Sequence, residues 1–113
     1  MVSSARPVQM RGDIWLAALD PTIGSEIQKT RPCLVISPAD LNDYLRTVLV
    51  APMTTGGFPA PYRISVRFQG RTGLILLDQM RTVDKSRLVR RLGRIRADIL
   101  TGTLATRREL FED

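Results

Sequence analysis

Histidine is absent from this 113-residue chain, and cysteine occurs only once, as Cys33. Without histidine there is no Ser–His or Cys–His nucleophile pair, no histidine acid–base couple and no His-ligated metal. A single cysteine excludes an internal disulfide and a multi-cysteine zinc site. The carboxylates Asp13, Asp20, Asp78 and Asp84 are scattered singly, without the paired spacing of a metal site. We therefore expect no metal and no cofactor, and any chemistry must use Arg, Lys, Glu, Asp, Tyr, Ser or Thr.

Lysine is also scarce, because only Lys29 and Lys85 contribute to the 17 basic residues. The positive charge is therefore almost all arginine, and the net charge is +6. Residues 1–60 have no net charge, so the whole excess lies in residues 61–113. A guanidinium is a planar fork that binds phosphate and stacks on bases. The pattern predicts a polyanionic partner, in the first place nucleic acid, and the alternative is a basic surface that only confers solubility.

Long hydrophobic runs are missing. No apolar run approaches the roughly 18 residues of a membrane span. Residues Met1–Met10 lack the apolar segment of a signal peptide, so we expect a flexible N-terminal arm there and a cytoplasmic location. The remaining length suits one domain, over residues 11–113.

Short apolar segments separated by turns predict a mainly β domain. The predicted strands are Asp13–Leu19, Pro32–Ser37, Thr47–Pro52, Tyr62–Phe68, Gly73–Val83, which turns polar at Asp78-Gln79, and Leu88–Ile95. The predicted connections are the loop Pro21–Thr30 and the turn-rich segments Met53–Pro61, Gln69–Thr72 and Asp84–Arg87. Tyr62–Phe68 alternates apolar and polar residues, which indicates a half-exposed strand.

Two helices complete the prediction. Pro38–Tyr44 is expected to form one or two helical turns, and Ala97–Phe111 one amphipathic helix with Ile99, Leu100 and Leu104 on its apolar face. Arg96 stands where a Ser or Thr would cap that helix. The resulting fold class is a small twisted sheet or partly closed β-barrel with a C-terminal α-helix packed on it.

Five short motifs resemble the signatures of the MazF/PemK toxin family. The first combines Arg11–Trp15 (RGDIW), Asp20–Thr22 (DPT) and Gly24–Glu26 (GSE). The others are Lys29–Pro32 (KTRP), Ala51–Thr55 (APMTT), Asp78–Val83 (DQMRTV) and Arg91–Arg94 (RLGR). Each motif is weakly specific alone, but together they follow in order over nearly the whole chain. The resemblance implies an SH3-like barrel shared with CcdB toxins, and a homodimer.

The resemblance also implies metal-independent, sequence-specific cleavage of single-stranded RNA. It implies inhibition by a cognate antitoxin with an acidic C-terminal segment that is disordered when free. A dimer is indicated independently, because the apolar segments Leu34–Ile36, Val48–Val50 and Leu74–Leu77 exceed what one short helix covers.

The resemblance places Arg31 and Thr54 at the catalytic centre. Arg31 would supply a fixed cation to the phosphate oxygens, and Thr54 a hydroxyl donor. Glu26 either accepts a proton or only orients Arg31. The residues expected to bind RNA are Lys29, Thr30, Thr55, Asp78, Gln79, Arg81 and Arg87.

The sequence is also compatible with two other functions. One is a CcdB-like DNA gyrase poison, which would act by binding a protein. The other is a non-catalytic SH3-like nucleic-acid-binding module. Neither requires the Lys29–Pro32 and Pro52–Thr55 motifs, which therefore favour the enzyme. Trp15 and Cys33 are expected in the core, Cys33 as an inert thiol.

Overall fold

A computed structural model of the chain describes residues 9–19 and 30–111. These described residues form seven strands and two helices, in the order β1 Asp13–Ala18, β2 Thr30–Val35, α1 Ala39–Tyr44, β3 Thr47–Thr54, β4 Arg63–Phe68, β5 Arg71–Leu76, β6 Arg81–Asp84, β7 Leu88–Arg94 and α2 Ala97–Leu110. Single 3-10 turns lie at Leu77–Gln79 and Lys85–Arg87. Nearly all of the predicted N-terminal arm and of the Pro21–Thr30 loop falls outside the described residues.

The strands form one antiparallel sheet in the order β4-β5-β3-β2-β1-β7, with β6 also beside β3. β3 is the centre of this sheet. One of its edges pairs with β2, and its other edge pairs with two strands, β5 and β6. Thr47–Val50 of β3 pairs with β6, and Met53-Thr54 pairs with β5. In the described part of the chain no ladder joins β4 to β7, so the barrel is only partly closed. The predicted mainly β, SH3-like fold class is confirmed.

Both faces of the central strands are covered. Leu34 and Ile36 belong to one buried cluster with Ile14, Ala51 and Ile75, against which Ile99, Leu100 and Leu104 of α2 pack. Cys33 and Val35 point the other way, into a second cluster with Val48, Val50 and Val83, against which Trp15 packs. This explains why β2 is continuously apolar: successive side chains enter opposite cores. Cys33 is buried as predicted.

The apolar segments that were expected to need a second subunit are instead covered within one chain. Leu34–Ile36, Val48, Val50 and Ile75–Leu77 are buried in the isolated protomer, and Leu49 and Leu74 are half-buried. Excess apolar strand surface is therefore no argument for a dimer. The homodimer remains a prediction from the family resemblance.

The prediction of one strand over Gly73–Val83 is wrong, because the structure has two strands there, separated by a turn. The chain leaves β5 at Leu76, turns through Leu77–Gln79 and enters β6, which pairs with the other half of the same β3 edge. The N–H of Leu77 donates to the carbonyl of Tyr62 at 3.1 Å, and the N–H of Met80 to that of Leu77 at 3.2 Å. These bonds satisfy the backbone at the break and fix the polar residues Asp78 and Gln79 at the strand ends.

The predicted four-residue turn Gln69–Thr72 is shorter in the structure. β4 and β5 pair up to Phe68 and Arg71, which leaves only Gln69 and Gly70 in the connection. Both have positive φ, 53° and 76°, as a two-residue hairpin turn of type I′ requires.

The C-terminal helix ends one residue before its predicted end. Arg96 at its start makes no capping bond; its guanidinium pairs with Asp98 through bonds of 3.1 and 3.0 Å. Thr103 is fully buried on α2 and its hydroxyl donates to the carbonyl of Ile99 at 2.7 Å. Phe111 is 68% exposed. No helix in the ranges that the structure describes has the length and apolar character to cross a membrane.

Candidate active site

The pairing register of two strands brings Arg31 and Thr54 together. β2 and β3 pair through Cys33 opposite Pro52, Leu34 opposite Ala51 and Val35 opposite Val50. Extending this register by two residues sets Arg31 against Thr54 at the end of both strands, and both residues line the same two hollows. The position follows from the apolar pattern of β2 and β3, because a one-residue slip would exchange the two buried clusters.

Two open hollows meet at this pair, with volumes of about 510 and 460 Å³. Arg31 and Thr54 line both of them. The other residues of the first hollow are Pro32, Met53, Thr55, Val66, Phe68, Gln69, Arg71 and Gly73. The other residues of the second hollow are Leu19, Pro52, Gly57, Arg63, Leu76, Gln79 and Arg81. Three arginines besides Arg31 thus face these hollows, which gives them a strongly basic lining.

The hydroxyl of Thr54 is oriented by the loop that follows it. Its Oγ1 accepts the backbone N–H of Gly56 at 3.2 Å, so the hydroxyl proton is left to donate elsewhere. Behind it, Gly73 of β5 lies so close that a Cβ at that position would be 2.0 Å from the carbonyl oxygen of Thr54. Glycine at position 73 therefore allows β5 to pack against the backbone of the catalytic candidate.

The guanidinium of Arg31 is exposed at the start of β2. Within residues 9–19 and 30–111 its side chain makes no hydrogen bond and no ion pair, so its donors face the hollows. The nearby thiol of Cys33 is not a second reactive group. Burial raises the pKa of Cys33 to about 12, against the smaller opposing effect of the positive charges of Arg31 and Arg81. Cys33 is a neutral thiol at pH 7, as the sequence predicted.

Arg63 forms an ion pair that the sequence did not predict. Its Nε donates to Oδ1 of Asp78 at 3.1 Å and its Nη2 to Oδ2 at 2.9 Å. The same guanidinium donates from Nη1 to the carbonyl of Phe58 at 3.3 Å. The hydrogen bonds from Arg63 hold the pKa of Asp78 below its usual range. The register of the β4–β5 hairpin could have indicated this pair. Arg63 lies opposite Leu76 in that hairpin, and Asp78 follows Leu76 by two residues.

The structure brings together part of the predicted RNA-binding set. Thr55 lines the first hollow, and Gln79 and Arg81 line the second. Thr30 pairs with Ala18 of β1, next to Arg31. Arg87 lines neither hollow; its Nη1 donates to the carbonyl of Ala18 at 3.3 Å.

Asp78, the remaining described member of that set, has its carboxylate bound by Arg63, and its RNA contact stays a prediction. Glu26 and Lys29 lie outside the described residues. Sequence reasoning did not single out Arg71, which lines the first hollow directly after the β4–β5 turn.

In the part of the chain that the structure describes, no three His, Cys, Asp or Glu side chains come together as a metal site. The groups that do converge are arginine guanidinia, the hydroxyls of Thr54 and Thr55, and the amide of Gln79. Such a set donates hydrogen bonds and positive charge, which is what a phosphodiester requires.

Comparison with known proteins agrees with this chemistry. Residues 10–110 match the family of PemK-like, MazF-like toxins of type II toxin-antitoxin systems. The endoribonuclease PemK of Escherichia coli is 42% identical over 100 residues, which cover 83% of this chain and 75% of that protein. The endoribonuclease MazF of Staphylococcus epidermidis is 39% identical over 88 residues, 73% of each chain. The crystal structure of MazE-MazF (Form-II) from Deinococcus radiodurans superposes with a TM-score of 0.82 at 27% identity, covering 93% of this chain and 96% of that one.

Proposed function

The chain belongs to the PemK-like, MazF-like family of toxins and is an endoribonuclease of that family, and we propose that it cuts single-stranded RNA at specific sequences without a metal ion. The observation that carries the proposal is the placement of Arg31 across from Thr54, where both line two basic hollows. A phosphodiester at this junction lies within reach of both side chains.

The proposed reaction uses the 2′-hydroxyl of the substrate as the nucleophile. The 2′-hydroxyl gives up its proton as its oxygen attacks the adjacent phosphorus, the bond from phosphorus to the 5′-oxygen breaks, and the leaving 5′-oxygen takes up a proton from water. The products are a 2′,3′-cyclic phosphate and a 5′-hydroxyl. Negative charge grows on the non-bridging oxygens during the attack, and donors fixed near those oxygens lower the barrier. Arg31 and Thr54 are these donors.

A proton must leave the 2′-hydroxyl, and a guanidinium ordinarily stays protonated at neutral pH. Glu26 is the proposed acceptor, and its alternative role is to orient Arg31. Glu26→Gln separates the two roles. If Glu26 accepts the proton, the variant loses the acidic limb of the pH–rate profile; if Glu26 only orients Arg31, the profile keeps its shape at a lower rate.

The arginines around the junction supply the proposed grip on the RNA backbone. Arg71 lies at the first hollow and Arg81 at the second, whereas Arg63 at the second hollow is ion-paired with Asp78. The remaining proposed contacts are Lys29, Thr30, Thr55, Asp78, Gln79 and Arg87. RNA affinity should fall steeply with salt, because each phosphate neutralised on a single strand releases roughly 0.7 counterion.

We further propose that the chain acts in the cytoplasm as a homodimer that a cognate antitoxin inhibits. The similarity to a MazE-MazF complex supports an antitoxin partner. A disordered acidic segment of that partner would compete with RNA for the surface around Arg31. Its affinity should depend less on salt than that of RNA, since buried apolar contacts are not screened.

The proposed reaction is tested by incubating purified protein with a long single-stranded RNA in excess EDTA. We expect unchanged cleavage and 5′-hydroxyl ends, with activity lost in Arg31→Ala. Arg108→Ala is the matched control, because Arg108 is an exposed arginine on α2 that lines neither hollow. Cleavage that stops in EDTA and returns with magnesium would contradict the metal-free reaction. Intact RNA under all conditions would favour the gyrase-poison or RNA-binding alternatives.

A further inference from the structure

The loop between β3 and β4 presents a phenyl ring to solvent beside the second hollow. Phe58 is 81% exposed, and the residue before it, Gly57, lines the hollow. All residues from Thr55 to Pro61 are exposed, so the ring is not held by a core. Burying a phenylalanine side chain stabilises a fold, and this chain forgoes that gain at the edge of its candidate active site.

The backbone under the ring is fixed although the ring itself is uncovered. Nη1 of Arg63 donates to the carbonyl of Phe58 at 3.3 Å, and the backbone N–H of Arg63 donates to the carbonyl of Ala60 at 3.2 Å. Pro59 and Pro61 each fix their own φ and keep the residue before them extended. The loop therefore positions Phe58 in advance, which lowers the entropy that binding must overcome.

We propose that Phe58 is a stacking subsite for a nucleobase of the RNA whose phosphate lies at Arg31 and Thr54. This inference rests on the proposed RNA cleavage and extends it to base binding. Proteins bind single-stranded nucleic acid by combining a basic groove for the backbone with aromatic rings on which unpaired bases stack. The basic hollows supply the first element, and Phe58 supplies the second.

A planar base fits this ring better than a protein segment does. Phe58 stands on an exposed loop rather than in a recessed apolar groove. It offers a flat face to another flat group, and no cleft into which an apolar anchor of a peptide could insert. The cations available to the phosphates of such a nucleotide are those of Arg31 and Arg71, which line the first hollow.

The test measures binding separately from cleavage, with a single-stranded 2′-O-methyl RNA of random sequence and about 12 nucleotides, within the span of known single-strand sites. A random sequence is suitable because stacking tolerates every base. We expect Phe58→Ala to weaken binding about 5- to 150-fold, the range for the loss of one stacked base, and Phe58→Tyr to stay within about 2-fold of the parent. Tyr44→Ala is the matched control, because Tyr44 is 87% exposed on α1, at the opposite ends of β2 and β3 from Arg31 and Thr54.

A second probe distinguishes stacking from a general effect on the loop. An abasic oligonucleotide of the same length keeps the phosphates and lacks the bases, so the parent and Phe58→Ala should bind it equally. Equal weakening for both probes would show that Phe58 supports the loop and would overturn the proposal. Unchanged RNA affinity in Phe58→Ala would overturn it too, while leaving RNA cleavage by the parent intact.

Two further outcomes are also decisive. If Phe58→Ala weakens the binding of an acidic, leucine-bearing peptide and not that of the RNA, the ring serves a protein partner and the proposal is wrong. If the parent itself neither binds nor cuts RNA, the proposed function fails, and the stacking subsite fails with it. Support requires all of the expected pattern: weaker RNA binding in Phe58→Ala, unchanged abasic binding, and parental RNA affinity in Tyr44→Ala.

Discussion

Arg63 binds Asp78 through two parallel hydrogen bonds, of 3.1 Å from Nε to Oδ1 and 2.9 Å from Nη2 to Oδ2. Its third nitrogen binds the carbonyl of Phe58. One guanidinium thus joins the start of β4, the 3-10 turn after β5 and the loop after β3, which together border the second hollow. Both side chains are partly exposed, and ion pairs in such places contribute little to stability. We therefore expect the Arg63–Asp78 ion pair to hold the segments that border the second hollow in position, rather than to stabilise the fold.

Replacing Asp78 with Asn should lower cleavage much more than stability. The free energy of unfolding should change by about 0–1 kcal/mol, as for an exposed pair. The catalytic efficiency should fall roughly 10- to 100-fold, because small displacements at a reacting centre are costly. Arg63→Met should lower the catalytic efficiency by a similar factor, and the double variant should lose little more than either single variant. The control is Asp98→Asn, which breaks the exposed Arg96–Asp98 pair on α2 and should not alter cleavage. Full activity in Asp78→Asn would show that the ion pair does not position the site.

The ion pair also has a predictable pH dependence. The pKa of Asp78 is lowered chiefly by its hydrogen bonds to Arg63. A carboxylate with a lowered folded-state pKa stabilises the fold at pH values above its unfolded pKa, near 3.9, and loses this contribution as the pH falls through the folded value. The difference in Tm between the parent and Asp78→Asn should therefore be constant from about pH 5 to 8 and shrink only in stronger acid. A difference that already shrinks near pH 6 would contradict this assignment. Asp84, whose pKa is also lowered, is the same in both proteins and does not affect the comparison.

Arg31 and Thr54 should each matter to the rate without mattering to the fold. Removing one donor to a developing oxyanion costs about 10²- to 10³-fold in rate, and we expect at least this for Arg31→Ala. Thr54→Val should lose a similar or smaller factor, whereas Thr54→Ser, which keeps the hydroxyl, should retain most activity. Thr101→Ala on α2 is the control for loss of a threonine hydroxyl away from the hollows. Single-turnover cleavage and thermal unfolding measure the two effects. Parental rates in Arg31→Ala would remove it from the catalytic centre.

The local part of this fold is visible in the sequence, and the long-range part is not. Apolar runs and alternation predicted most strands and α2, because each pattern reflects which faces of one element are covered. The break at Asp78 escaped prediction, because it arises from β5 and β6 sharing one edge of β3. Asp13 is another case: it is buried because Arg91 and Arg94, about 80 residues later, supply its ion pairs.

The candidate site likewise has a part that the sequence predicted and a part that it did not. Arg31 and Thr54 were identified from motifs, and their register then placed them together. The role of Arg63 depends on a side chain meeting Asp78 across a hairpin end, and strand alternation alone assigned Arg63 to a solvated face.

Cys33 should be unreactive as long as the protein is folded. Burial raises its pKa to about 12, so almost no thiolate is present at pH 8. Iodoacetamide should therefore label the protein only after it is unfolded in denaturant. The folded state keeps the thiol proton, whereas the unfolded chain releases it above about pH 8.5, so Cys33 should lower stability as the pH rises past that value. Cys33→Ala should remove this dependence. Rapid labelling of the folded protein at pH 8 would contradict the burial.

Gly73 should be required for the position of Thr54, and Gly73→Ala tests this with the smallest possible change. Its φ lies outside the left-handed region, so alanine is compatible with the backbone there. The obstacle is steric: the new Cβ would be 2.0 Å from the carbonyl oxygen of Thr54, whereas ordinary contact begins at 3.4 Å. The oxygen belongs to the backbone of β3, so β3 and β5 must separate, and Thr54 must shift relative to Arg31. We expect cleavage to fall on the order of 10²-fold, as for a displacement of about 1 Å at a reacting centre.

Gly102→Ala is the matched control, because a Cβ there meets nothing within 4 Å on α2. This variant should raise stability by about 0.5–1 kcal/mol with no change in cleavage. Cleavage by Gly73→Ala at the parental rate would show that Thr54 tolerates displacement, and would count against its role as a fixed donor.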